Sequence, residues 1–223
     1  MKRLFTTLLS VVGLSRPDAR GQDIQTIDPS KILYTVPTIS NDLSPVEKVD
    51  LPLPDSAFTL HEDDWCQVEF FTAERLPELQ RMLKEYKTFE SKNRTSSGWK
   101  NVYVRRIERL PVFTGEASPQ RLGLLLKSTV GDAPILHATA SLTGRVSNGF
   151  SMSLDGNIWL YGYTSDGGIS VLAASVGEHP DDQVLTSVFA TLHREAGLVL
   201  VDWKQQLLLV GVDGGGQIEV WQP

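Results

Sequence analysis

The chain has 223 residues, of which 41% are hydrophobic and 22% charged, with a formal net charge of -6. That length suits one substantial domain with an arm, and that composition suits an ordinary globular chain. A single cysteine, Cys66, excludes an intrachain disulfide framework and a Cys-rich zinc site, and the acidic balance argues against a general phosphate-backbone binder.

Lys2 and Arg3 precede a run in which Leu4, Phe5, Leu8, Leu9 and Val12 recur at helical spacing. Residues 2–14 therefore predict an amphipathic docking helix, too short to span a bilayer. The same charged start and apolar run suit a leader peptide, although no Ala-x-Ala cleavage site follows. From residue 15 to 57 the chain is punctuated by Pro17, Pro29, Pro37, Pro45, Pro52 and Pro54. Proline fixes φ and pushes the preceding residue toward extended geometry, so this stretch reads as an extended arm wrapped on its own domain. Within it Ile32–Val36 has the composition of an edge strand.

A single α+β domain is expected over residues 58–223. Trp65–Phe71 has strand composition, with Cys66, Val68 and Phe70 on a wholly apolar face. A helix then starts between Thr72 and Pro77 and buries Leu76, Leu79, Leu83, Tyr86 and Phe89, and residues 93–98 close it as a polar loop. Trp99–Leu110 reads as one long strand. Arg121–Val130 fits either a short helix after Ser118-Pro119 or a strand, since short apolar runs are ambiguous by periodicity alone. Ile135–Thr143 reads as a strand ending at Gly144.

Gly149–Ser175 carries the clearest pattern. Three apolar and aromatic runs are separated by Asp155-Gly156-Asn157 and Ser165-Asp166-Gly167-Gly168, turn residues that tolerate positive φ, so an antiparallel meander is expected. A second long helix follows, opened by Pro180 and closed by Gly197, with Val184, Leu185, Val188, Phe189 and Leu192 on one face. Leu198–Trp203, Leu207–Val212 and Gln217–Trp221 complete the chain as three strands. The expected class is α+β: a mostly antiparallel sheet (meander plus C-terminal hairpin) with two or three packed helices and a Pro-rich arm.

No motif assembles a reaction centre in sequence. The cluster His61-Glu62-Asp63-Asp64-Trp65-Cys66 gathers an imidazole, three carboxylates and a thiol, but the HExxH spacing fails because position 65 is Trp. G-x-S-x-G, both glycine-rich phosphate cradles and the EF-hand spacing are absent, and Asp213-Gly214-Gly215-Gly216 sits between two strands as a hairpin turn. No cofactor or metal is therefore expected. His179 adjoins Pro180 as a candidate cap, and His193 lies at the edge of a buried helix face. Arg105, Arg106 and Arg109 alternate with aromatics, but adjacent arginines on a strand face opposite ways, which disfavours a nucleic-acid groove. Asn93-Arg94-Thr95 matches a glycosylation sequon that matters only in a secreted chain.

These readings favour a non-catalytic module that binds a protein partner, of which an immunity or inhibitor protein is one instance. Glu62, Asp63 and Asp64 form the candidate contact, and a basic partner suits them. Two alternatives remain open: a hydrolase-like site assembled in space from His61, Asp64 and His137, and membrane association or export through residues 2–14. The lone cysteine favours the cytoplasm, and a leader would place the chain outside it or in a periplasm.

Overall fold

In a computed structural model, which describes residues 33–42, 44–115, 118–138, 141–155, 157–165 and 167–223, the chain is β-rich with three α-helices among those residues. The expected helix at 2–14 and the first half of the arm lie outside the described residues. In chain order come β1 (Thr38–Ser40), β2 (Val46–Glu47), β3 (Thr59–His61), β4 (Val68–Thr72) and α1 (Leu76–Asn93). Next are β5 (Arg94–Thr95), β6 (Gly98–Trp99), β7 (Tyr103–Arg105), β8 (Phe113–Thr114), α2 (Ser118–Leu126), β9 (Ile135–Ala138) and β10 (Ser141–Val146). The meander is β11 (Gly149–Asp155), β12 (Ile158–Ser165) and β13 (Gly168–Val176), followed by α3 (Asp182–Ala196), β14 (Leu198–Asp202), β15 (Leu207–Val212) and β16 (Ile218–Trp221).

The main sheet has eight strands in the order β11-β12-β13-β4-β14-β15-β16, with β8 pairing β13 alongside. All of its pairings are antiparallel. The meander fills one half and the C-terminal strands the other, while β4 lies between them and joins the halves. A central strand is covered on both faces, and in β4 Phe70 and Phe71 point opposite ways and are both buried.

Each face of the sheet carries a different layer. On one, Phe70, Leu160, Leu172, Leu198 and Leu200 meet Leu122 of α2 and Val188, Phe189 and Leu192 of α3. On the other, Phe71, Val199, Val201 and Leu208 meet Leu79, Met82, Leu83 and Tyr86 of α1. Further along that second face, Tyr161, Val171 and Ala173 pack against Leu60, Leu136 and Val146 of a smaller sheet. That sheet is ordered β2-β10-β9-β3, and β3 runs parallel to β9. Each fully buried side chain of this size is worth roughly 1.5–3 kcal/mol relative to exposure.

Helix ends follow local chemistry. Asp181 caps α3 by accepting a 2.9 Å bond from Gln183 N, and Gly197 ends it at φ 63, a left-handed conformation suited to glycine. Asp181 thus takes the capping role expected of His179. The short run after Pro119 resolves as helix α2. Asp213 turns the last hairpin, its Oδ1 accepting from Gly215 N and Gln217 N at 2.8 Å each.

Several expected strand limits shift. Trp65–Gln67 precede β4 rather than belonging to it, because Cys66 takes a positive φ of 56 that no extended strand admits. Residues 93–98 are not a plain loop: β5 and β6 pair across Ser96-Ser97. The long strand expected over 99–110 breaks into β6 and β7, and 106–110 belong to no strand. The strand expected over 135–143 is two antiparallel strands, β9 and β10. The described part of the arm does lie on the domain, β1 parallel to β7 and β2 antiparallel to β10.

Candidate functional site

Between α1 and the smaller sheet, the second face of the main sheet is filled by charge. The segment after β6 alternates strictly: Tyr103, Arg105, Ile107 and Arg109 turn inward, while Val104, Arg106, Glu108 and Leu110 are exposed. Arg105 is 0% exposed and interacts electrostatically with Glu69, itself 1% exposed on β4. Glu69 stands opposite Ala173 of β13 and Val201 of β14, at the seam between two apolar clusters.

Arg105 is held on several sides. Nη1 donates to Thr38 Oγ1 at 2.9 Å and Gln67 Oε1 at 3.3 Å, and Nη2 donates to the carbonyls of Cys66 at 3.0 Å and Trp65 at 3.4 Å. Its guanidinium also lies 5.1 Å from the centre of the Trp203 ring. Burial lowers its pKa to about 10, against the opposing pull of Glu69, and it stays cationic at neutral pH. Arg109 bridges the arm and the core: it pairs with Glu69 through Nη1, with Asp42 Oδ2 through Nε at 2.8 Å, and with Ser40 Oγ through Nη2 at 3.1 Å. Burial works against its charge, but Glu69 and Asp42 outweigh that and hold it ionised.

Two guanidinium groups thus face two carboxylates in the seam. Cys66 lies beneath, 0% exposed, with Sγ 3.9 Å from Arg109 Nη2. Burial, reinforced by Glu69, pushes its thiol pKa well up, so the group stays a neutral thiol rather than a nucleophilic thiolate. Tyr161 is fully buried beside it and accepts from Cys66 N at 2.9 Å. Within the seam Arg105, Glu69 and Cys66 are buried, while Asp42 stays partly exposed at its edge.

The acidic residues Glu62–Asp64 form a single 3-10 turn at the edge of this junction, all three half-buried. Its backbone is fastened at every residue. Glu62 O accepts from Trp65 N at 3.2 Å, Asp63 N donates to His61 Nδ1 at 3.2 Å, Asp63 O accepts from Gln67 Nε2 at 2.6 Å, and Asp64 O accepts from Tyr161 Oη at 3.4 Å. The Asp64 side chain reaches Lys204 Nζ at 2.7 Å. Burial raises the Asp63 pKa, opposed by His61.

The residues expected to converge as a hydrolase-like site do so only in part. His61 and His137 are register partners on β3 and β9, their rings edge to face with centroids 5.3 Å apart. Asp64 turns away to Lys204. Among the described residues no group of three or more His, Cys, Asp or Glu converges to hold a metal ion. His193 stands apart from that pair, its Nδ1 2.9 Å from the Leu198 carbonyl oxygen, a bond that orients the ring at the end of α3. Of the three candidate arginines, Arg105 and Arg109 are engaged in the seam and Arg106 alone is exposed. Two open grooves, about 370 Å³ beside α3 and about 870 Å³ beside α2, contain no histidine or cysteine.

The sequence reading passed over Thr38, Asp42, Gln67 and Glu69. A signal was present: Gln67 and Glu69 sit between Trp65 and Phe71 on a face too aromatic for solvent, and such polar residues need buried partners. The matching signal was the period-2 placement of Arg105 and Arg109 with Tyr103 and Ile107. No family model, curated protein or solved structure matches this chain. No described helix is long and apolar enough to cross a membrane.

Proposed function

We propose that this chain is a non-catalytic interaction module that binds a protein partner through the turn Glu62–Asp64, with immunity or inhibitor proteins as one instance of the class. The observation that carries this reading is the bracing of the turn, whose backbone is tied to His61, Trp65, Gln67 and Tyr161. A surface held in one conformation before binding loses less entropy on association. Three carboxylates on such a turn suit a basic surface, which they would also steer toward the turn. A reducing compartment suits the single buried thiol.

The test replaces Glu62, Asp63 and Asp64 together with alanine and compares the proteins retained by wild type and variant on affinity purification from the native cell. A specific partner lost by the variant, with folding intact by circular dichroism, supports the reading. Equal retention of every specific partner defeats it. One observation favours a second reading: the rings of His61 and His137 lie edge to face with centroids 5.3 Å apart, and imidazole is the side chain most often used as a general base. Loss of a hydrolytic activity on His137→Ala, with partner capture unchanged, would favour that alternative.

A further inference from the structure

We propose that Thr38–Asp42 is a releasable strap whose docking holds the Glu62–Asp64 turn in place and seals Cys66. Its regulatory meaning rests on reading that turn as the partner site; the mechanical coupling does not. Three features carry the inference. First, among the described residues β1 pairs only with β7, in a two-stranded ribbon separate from both larger sheets, so its departure breaks the ladder of neither. Main-chain bonds complete the attachment, Tyr103 N to Pro37 O and Asn41 N to Arg105 O, each 2.9 Å.

Second, the side chains that fasten the strap are polar. Thr38 Oγ1 receives Arg105 and itself donates to Tyr103 O at 2.8 Å, while Ser40 and Asp42 receive Arg109. Water can replace such bonds, so release carries a smaller penalty than exposing an apolar layer, and segments with few buried apolar contacts open locally.

Third, one amide joins strap to turn. Gln67 Nε2 donates both to Thr38 O at 2.8 Å and to Asp63 O at 2.6 Å, while Gln67 Oε1 accepts from Arg105. When the strap leaves, Gln67 loses one of its anchors and Arg105 loses Thr38, so the turn loosens and the thiol beneath opens. Because coupling free energies are reciprocal, whatever displaces the strap weakens binding at the turn, and a partner that grips the turn tightens the strap.

The test uses the full chain without a partner. Labelling of Cys66 by an aromatic disulfide reagent and hydrogen exchange of the Trp65, Cys66 and Gln67 amides are measured for wild type, Asp42→Ala, Thr38→Val and a distant control, Arg81→Ala. Both strap variants should accelerate labelling and exchange together, by about tenfold or more, which is 1.4 kcal/mol of local opening. The control should match wild type, and labelling should hardly change in dilute urea, as expected of a local event. Unchanged labelling in the strap variants overturns the proposal. So does faster labelling without faster exchange of the turn amides, or labelling that follows global unfolding in urea. Loss of partner capture by the triple alanine variant tests the function independently of all these outcomes.

Discussion

Arg109→Met is the sharpest probe of the buried seam. The substitution keeps a long side chain but removes the cation that Glu69, 1% exposed, faces across the seam. Arg105 remains nearby, but its two Nη groups are committed to Thr38, Gln67 and two carbonyls, and its buried Nε makes no hydrogen bond to Glu69. Breaking a buried pair by removing one partner costs about 3–5 kcal/mol, because the other charge stays buried without compensation. For a chain of this size that is a fall in Tm of about 2–4 °C for each kcal/mol. Removing both charges is different: Glu69→Leu with Arg109→Met leaves no unpaired ion, and apolar replacement of a buried pair is often close to neutral. Arg105 then lacks its nearest counter-charge and the strap loses Arg109, so about 1–2 kcal/mol of loss is expected in the double variant. Urea unfolding followed by circular dichroism measures wild type, Arg109→Met, Glu69→Leu and the double variant. The reasoning fails if Arg109→Met lies within about 1 kcal/mol of wild type, or if the double variant loses the sum of the two single losses.

Further outcomes follow from other parts of the fold. Gly162→Ala should abolish soluble expression or unfold the chain, because an added Cβ would lie 1.8 Å from the Val171 carbonyl oxygen at the β12–β13 ladder; a soluble variant with wild-type Tm would refute that packing. Asp181→Ala removes the cap of α3 and should lower stability by about 1 kcal/mol in urea titration. Four of the five tyrosines, Tyr86, Tyr103, Tyr161 and Tyr163, have pKa values raised chiefly by burial, Tyr86 from 10.0 to about 12. Since folding holds these phenol protons more tightly, their contribution to stability is present below pH 10.0 and is lost as pH rises toward about 12 for Tyr86. Ultraviolet absorbance of the folded chain should therefore lag an unfolded control above pH 10.0 and rise together with unfolding.

What was legible in the sequence was local. The meander declares itself because each of its turns lies between the strands it joins, and α3 declares itself through Pro180, Asp181 and Gly197. The hairpin of β9 and β10 was hidden because Thr139 and Ala140, which separate them, carry none of the usual turn chemistry. The seam was hidden for a different reason. Arg105 and Arg109 acquire their roles from Thr38, Ser40 and Asp42, some 70 residues earlier, and from Glu69 on a strand whose neighbours are set by the whole sheet. Composition assigns such residues to solvent. Of the acidic turn, the charge was readable, while the bonds that fix its backbone depend on Gln67 and Tyr161 being brought together by folding.

The most direct measurement for the interaction reading places a photo-crosslinking residue at position 62 in the intact chain and, as a control, at position 81 on α1. Irradiation in the native cell should give a discrete adduct with one protein from position 62 and none from position 81. Identical adduct patterns from the two positions, or no protein adduct at 62, would contradict the claim that this turn is where the chain meets its partner.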